Sequence, residues 1–453
     1  MGLHEECGVF GIYDAAGNCA QSVYYGLYAL QHRGQEDCGI ATINDLELSC
    51  HKGPGLVGDV FSEEILTRLG GTMAIGHVRY AYAGSTFYDN AQPITLTYIK
   101  GSLAVAHNGR LTNSAELKRE YEYKGAVFHT KTDCEVIAYI VAQARLHSGS
   151  AEAAVVQAMK RLKGAFSMII MSSRKLIAAR DPWGVRPLCI GQKGDAIIFA
   201  SESCALDSIE ATFVRDVKPG EVVWVDDGKL YSNCENCADE TSLCIFEHIY
   251  FARPDSVIDG QSVYAARIND GRLLAREYPI DADVVIGVPD SGLIAAKGYS
   301  LATGIPYNDG FMKNRYIGRT FIAPGQSVRE DAVKIKLNPL RETISGKRVV
   351  MVDDSIVRGT TTVPTVRLLR NAGAKEIHTL IASPKFISPC YYGTDIPSKD
   401  VLFACNHSTE EMCRIIGADT LGFLSIEGMR EIAPNSGCGF CEACFTGEYP
   451  VKV

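Results

Sequence analysis

The chain has 453 residues, 46% of them hydrophobic and 22% charged, with a net charge of -8. That length allows two or three domains with substantial cores, and the acidic balance argues against nucleic acid bound through a broad basic surface. No apolar run approaches membrane-spanning length, and the polar, acidic start from Met1 to Glu6 is not a secretory signal, so a cytoplasmic chain is expected.

The first half reads as short strands separated by turns, at residues 7–13, 73–79, 103–107, 167–171, 196–200 and 221–225. Helical patterns interrupt them at 63–69, 133–146 and 151–162. This order predicts antiparallel sheets with helices outside, an α+β layered domain. The polar, cysteine-rich stretch 231–244 is the predicted linker. Beyond it the pattern changes to helix 262–277, strand 283–288, and strands 349–352 and 377–382 joined by a helix, which predicts a parallel, doubly wound α/β sheet. Residues 313–340 carry little periodicity and many Arg, Lys, Gly and Pro, as expected of a functional lid.

The most informative stretch lies in the second half. Val349 to Val352 is an apolar run without alternation, which suits a strand buried on both faces. Asp353 and Asp354 follow at its carboxyl end, where open α/β sheets bind ligands. Ser355, Arg358, Gly359, Thr360 and Thr361 then lead into a helix with Pro364 near its first turn and Gly373 at its stop. Backbone N–H groups and hydroxyls at such a helix start suit a phosphomonoester, and the paired acids suit ribose hydroxyls or Mg2+. No GxxxxGK[ST] loop occurs, which removes support for a P-loop kinase or ATPase.

This segment resembles the binding loop of type I phosphoribosyltransferases, which use phosphoribosyl pyrophosphate. Upstream, Val288-Pro289-Asp290-Ser291-Gly292 resembles the pyrophosphate loop of the same enzymes, with Ser291 a further Mg2+ contact beside Asp353 and Asp354. Lys313 and Arg315, in the lid segment, are expected to stabilise departing pyrophosphate while closure excludes water.

In the first half, Cys7 opens a strand, Arg79 ends another, Ala106-His107-Asn108-Gly109 is read as a strand ending in an Asn-Gly turn, and Asp133 opens a helix. Together with Leu30-Gln31-His32-Arg33-Gly34-Gln35-Glu36, these resemble the class II glutamine amidotransferases, the N-terminal-nucleophile glutaminases. The resemblance implies an αββα fold, with Cys7 as nucleophile, Asn108 and Gly109 as oxyanion hole, Arg79 on the glutamine carboxylate and Asp133 on its ammonium. An α-amino group titrates near about 7.7–8.0, so a nucleophile at the chain terminus carries its own base. Cys7 gains that amine only if residues 1–6 are removed. One position departs from the pattern: Tyr82 stands where the family usually has Thr.

Sixteen cysteines without a secretion signal point to metal or catalytic thiols rather than a disulfide framework. Cys438, Cys441 and Cys444 form overlapping Cys-x2-Cys pairs, and Cys234/Cys237 is another. On spacing alone, zinc held by Cys234, Cys237, Cys441 and Cys444 competes with an iron–sulfur cluster. The family resemblance implies a [4Fe-4S] cluster on Cys244, Cys390, Cys441 and Cys444.

Amidotransferase followed by phosphoribosyltransferase is the order of the glutamine phosphoribosylpyrophosphate amidotransferases, which open de novo purine synthesis. That resemblance implies a propeptide at 1–6, a glutaminase domain at 7–235 and a phosphoribosyltransferase domain at 236–453. It also implies glutamine and phosphoribosyl pyrophosphate as substrates, purine nucleotide inhibitors and a homo-oligomer, dimer or tetramer. The competing readings are a glutaminase serving another acceptor, and a non-catalytic regulator that senses a phosphoribosyl ligand.

Overall fold

The computed structural model describes residues 7–80, 90–314 and 337–451. In the first half, two antiparallel sheets face each other. One has seven strands, in the spatial order Thr212–Asp216, Cys189–Lys193, Ala196–Ala200, Gly8–Tyr13, Met73–Arg79, Asp37–Asn44 and Glu47–Pro54. The other runs Lys229–Asn233, Val222–Asp226, Leu176–Arg180, Gly164–Ser172, Gly101–Leu111 and Ile94–Tyr98. Val9, Ile75, Ala106, Ile169 and Phe199 fill the space between them. Helix Cys19–Ala29 buries Val23 and Leu27 on the outside of the first sheet, and helices Asp133–His147 and Ala151–Met159 cover the second. The result is the αββα sandwich, and it explains why the central strands are apolar on both faces.

Two sequence expectations change here. Asn108-Gly109 is not a turn, because the strand runs on to Leu111 with Asn108 opposite Ser167 and Gly109 opposite Phe166. Gly109 has φ +123°, and a Cβ there would stand 2.3 Å from the Ala165 carbonyl oxygen, so the glycine serves a close backbone approach. The expected linker is also shorter. Tyr231 to Asn233 belong to the edge strand Lys229–Asn233, because they pair with Val222–Asp226.

The second half is a parallel sheet in the order Val284–Gly287, Arg348–Asp353, Glu376–Ile381 and Thr420–Phe423. Val285 and Val350 face the side where Ala295 and Ala296 of helix Gly292–Thr303 pack, and Val284 and Val349 face Val366 and Leu369 of helix Thr362–Asn371. Both faces are thereby covered, as a parallel sheet requires. The ends of the expected lid, Phe311–Lys313 and Leu337–Pro339, pair antiparallel as a stem. Arg315, Tyr82 and residues 1–6 lie outside the described residues.

A cluster of buried charges joins the halves. Arg33 forms short ion pairs with Glu202 of its own half and with Glu247 beyond the linker, and all three side chains are fully shielded from solvent. Arg186 lies 3.5 Å from Glu247 and donates to the Tyr392 carbonyl at 3.1 Å. Burial opposes the charge of Glu202, yet Arg33 and then His32 hold its carboxyl well below the usual range. Removing one member leaves the others charged and dry. Glu247→Gln should therefore cost about 3–5 kcal/mol in urea unfolding, whereas cutting the exposed pair Arg276–Glu431 should leave the midpoint nearly unmoved.

Candidate active sites and thiol cavity

Sheet register assembles the glutamine side. Gly8 pairs with Val78, which sets Cys7 across from Arg79, and Asp37 pairs with Arg79 on the other flank. Arg79 is 5% exposed, and its Nε donates to Asp37 Oδ2 at 2.6 Å. Gly34 packs on this arginine so closely that a Cβ would meet its backbone at 2.4 Å. Burial raises the Asp37 carboxyl, and the Arg79 hydrogen bond pulls it back. Asp37 is a residue that motif reading missed.

The facing sheet brings Asn108. Its side chain is fully buried, and neither amide atom has a partner among the described residues. Such an orphaned amide carries a desolvation cost of about 1–3 kcal/mol that a bound ligand would relieve. Asp133 begins helix Asp133–His147, and its Oδ2 accepts from Leu111 N at 2.8 Å, which fixes the end of the Asn108 strand.

A histidine bridge sets the distance between these two sheets. His77, two residues before Arg79, donates from Nε2 to the carbonyl of His107, next to Asn108, at 3.1 Å. Burial lowers the pKa of His77 to about 3, with the Arg79 charge the next cause. His107 sits in the Ala106-His107-Asn108-Gly109 stretch and His77 two residues before Arg79, but only the sandwich makes them neighbours.

On the phosphoribosyl side, Asp353 and Asp354 are 7% and 9% exposed at the end of the strand Arg348–Asp353. The hydroxyls of Ser291 and Ser355 make short hydrogen bonds to Asp354, so the two loops meet at one carboxylate. Burial pushes both carboxyls up, and Asp354 pushes Asp353 further. Gly359 takes φ +72° at the turn before helix Thr362–Asn371. Thr360 is exposed and Thr361 half-buried, whereas the Thr362 hydroxyl is buried and unpartnered among the described residues. Lys313 forms a short ion pair with Asp290, the exposed residue of the upstream loop.

The two sides meet. Tyr80 follows Arg79, and its phenol is pushed up by burial and then by the carboxylates of Glu36 and Asp395, with the Arg358 guanidinium opposing. Arg358 lies in the phosphate loop and stands 3.8 Å from Asp395. From the linker side, the wide helical turn Glu247–Phe251 brings Tyr250 towards the acid pair, whose charges add to burial in raising its phenol. Arg267 holds that turn through the carbonyls of His248, Tyr250 and Ala252 at 2.7–2.9 Å.

Cys244, Cys390, Cys441 and Cys444 line one cavity, together with Arg186 and Phe246. Strands Leu243–Cys244 and Phe440–Cys441 pair in parallel with Cys244 opposite Cys441. Burial raises Cys244, Cys441 and Cys444, and neighbouring cavity thiols raise each of them further. Cys234 and Cys237 are absent from this cavity and sit beside Arg215, Lys218 and Glu221. Among the described residues, no three His, Cys, Asp or Glu side chains are spaced to hold a single ion. Four thiols on one cavity are the donor set that an iron–sulfur cluster takes.

Fold and sites define a glutamine amidotransferase half joined to a phosphoribosyltransferase half. A family profile described as a glutamine amidotransferase domain matches residues 77–208, and one described as a phosphoribosyl transferase domain matches 264–385. The chain is 48% identical to an amidophosphoribosyltransferase of Methanocaldococcus jannaschii, over 99% of this chain and 98% of that protein. It is also 48% identical to the Bacillus subtilis amidophosphoribosyltransferase, over 100% of this chain and 95% of that one. The solved structure of the B. subtilis glutamine phosphoribosylpyrophosphate amidotransferase, complexed with ADP and GMP, superposes with a TM-score of 0.91 over 98% of each chain. The chain belongs to the amidophosphoribosyltransferase family and is a transferase.

The His77 bridge has a pH signature. Its folded-state pKa of about 3 lies below the unfolded value near 6.5, so the unfolded chain takes up the proton first. The contribution is present above about pH 6.5 and is lost as pH falls towards 3. In His77→Gln, which retains a donor for the His107 carbonyl, Tm should decline less steeply than in the parent between those limits. An unchanged slope would remove His77 from the acid response.

Proposed function

We propose that the chain makes 5-phosphoribosylamine, glutamate and pyrophosphate from glutamine, phosphoribosyl pyrophosphate and water, the first step of de novo purine synthesis. The observation that carries this reading is the position of Tyr80, which follows Arg79 on its strand and whose phenol feels the charges of Asp395 and Arg358 of the phosphoribosyl half. The glutamine side thereby lies towards the phosphoribosyl side, as transfer of ammonia between them requires.

After processing at Glu6, the α-amino group of Cys7 accepts the thiol proton, and sulfur attacks the side-chain carbonyl of glutamine. The orphaned Asn108 amide and the Gly109 N–H take the developing oxyanion, at about 3–4 kcal/mol per donor. The leaving nitrogen takes the proton and departs as ammonia, and water then hydrolyses the thioester to glutamate. Arg79, held by Asp37, binds the glutamine carboxylate, and Asp133 binds its ammonium.

In the second half, the domain proposed to begin near residue 236, the loop of Ser355, Arg358, Gly359, Thr360 and Thr361 cradles the 5-phosphate. Asp290, Ser291, Lys313 and Arg315 serve the pyrophosphate end, and Asp353 and Asp354 hold the ribose hydroxyls. A magnesium ion on Ser291, Asp353 and Asp354 would relieve the like-charge strain of the acid pair and neutralise the leaving group. Ammonia attacks C1 of the sugar, the C1–O bond to pyrophosphate breaks, and a proton leaves the new amine.

The thiol cavity supports a structural [4Fe-4S] cluster on Cys244, Cys390, Cys441 and Cys444, with Arg186 beside it to offset thiolate charge. Purine nucleotides are the proposed inhibitors, by likeness to the B. subtilis protein that binds ADP and GMP. A cytoplasmic dimer or tetramer completes the reading. Among the described residues, no helix is long and apolar enough to cross a membrane.

The two half-reactions should separate under mutation. Cys7→Ala should abolish glutamine-dependent synthesis and keep the ammonia-dependent rate, while Asp354→Asn should lower both syntheses at least tenfold and spare basal glutamine hydrolysis. Intact mass should place the mature start at Cys7. Fully glutamine-active protein retaining residues 1–6, or equal loss of synthesis and of basal glutamine hydrolysis in folded Asp354→Asn, would count against the assignment.

Iron tests the cavity independently. Anaerobically purified protein should be brown, with about four irons per chain. Cys390→Ser should lose the colour, and Cys234→Ser should keep it. A colourless protein with one zinc that depends on Cys234 would favour the other thiol set.

A further inference from the structure

Cys234 and Cys237 are used by neither active site nor cavity, yet they occupy a prepared turn. The Cys237 N–H donates to the Cys234 carbonyl at 3.1 Å, a one-to-four contact. The ends of such a turn are less than about 7 Å apart at Cα, which overlaps the span of about 4.4–6.8 Å that a disulfide bridges. The turn is fastened on both sides. Asn236 Nδ2 donates to the Val156 carbonyl at 3.0 Å, and Gly220, at φ +79°, packs so closely that a Cβ would meet the Asn236 carbonyl at 2.1 Å. Oxidation therefore needs little backbone movement.

The two thiols are unequal in the sense that exchange chemistry uses. Cys234 is exposed and Cys237 half-buried behind it. Arg215 places a cation near Cys234 and Lys218 near Cys237, with Glu221 opposing both. Burial and then the hydrogen bond and charge of Cys234 push the Cys237 thiol up to about 12. Those last two causes vanish once Cys234 carries another group, which releases Cys237 for the second step.

We propose that Cys234 and Cys237 form a thiol–disulfide exchange site for low-molecular-weight disulfides, separate from the cavity around Cys244. The Cys234 thiolate attacks one sulfur of the small disulfide, whose S–S bond breaks and expels one thiolate. Cys237 then attacks the Cys234 sulfur, the mixed S–S bond breaks, and a second thiolate leaves. The protein loses two electrons and two protons, and the small disulfide becomes two thiols. Because the closed loop is short, the bond gains little from chain entropy and stays exchangeable.

The test treats the anaerobically purified full chain with oxidised glutathione, quenches with acid, alkylates and maps peptides by mass. The peptide carrying both residues should lose two hydrogens, resist alkylation and revert with dithiothreitol. Cys405, exposed and with its thiol on the Ile387 carbonyl, should instead keep a glutathione adduct. Cys237→Ser should stop at the adduct on Cys234. A persistent adduct on wild-type Cys234 would overturn the proposal, as would full alkylation of both residues. So would zinc that is lost in Cys234→Ser.

Discussion

The guanidinium of Arg33 is the point on which the two halves turn. It is fully buried and binds one carboxylate from each side of the linker, Glu202 and Glu247. Dry charges tolerate little displacement, because each depends on partners at hydrogen-bond distance to offset its lost hydration. The pair thereby imposes an orientation that apolar contact alone would leave loose. Ser256 and the Arg253 N–H also bind Glu202, at 2.6 and 2.9 Å, so the segment that follows Glu247 is drawn into the same cluster.

From this anchor the two candidate sites inherit their spacing. Arg33 precedes Gly34, which lies against the backbone of Arg79, and Glu247 opens the turn that carries Tyr250 towards Asp353 and Asp354. The His77–His107 contact sets the separation of the two sheets behind Arg79 and Asn108. A buried neutral imidazole suits that task, because it donates one directed bond without the desolvation cost of a charge. The acid pair is the opposite case. Two buried carboxyls resist ionising together, which suits a place that receives a cation with its substrate.

The thiol cavity ties the same assembly together at another depth. Cys244 ends the linker stretch, Cys390 comes from the loop after strand Glu376–Ile381, and Cys441 and Cys444 come from the C-terminal segment. Arg186 belongs to both the charge cluster and the cavity wall, so whatever fills the cavity acts on the contact between the halves.

Much of this was legible from residue order. The run Val349 to Val352 announced a doubly covered strand because both its faces are apolar, and the acids, serines and glycine after it kept their loop because such loops depend on local backbone chemistry. The Asn108-Gly109 pair misled for the same local reason. Asn-Gly is a turn signal, but pairing with Ser167 and Phe166 carried the strand through it. Strand Thr420–Phe423 was missed, since its Thr420 and Gly422 break the kind of apolar run that marks Val349 to Val352. The spacing of Cys-x2-Cys pairs could not choose between two thiol sets, because ligand choice depends on which segments meet. Asp37 behind Arg79 and the His77–His107 bridge likewise arise from contacts between segments distant in the chain. Sequence alone determined the chemistry available at each strand end. Tertiary structure decided which of those ends face one another, because long-range pairing and burial, unlike turns and strands, leave no local pattern.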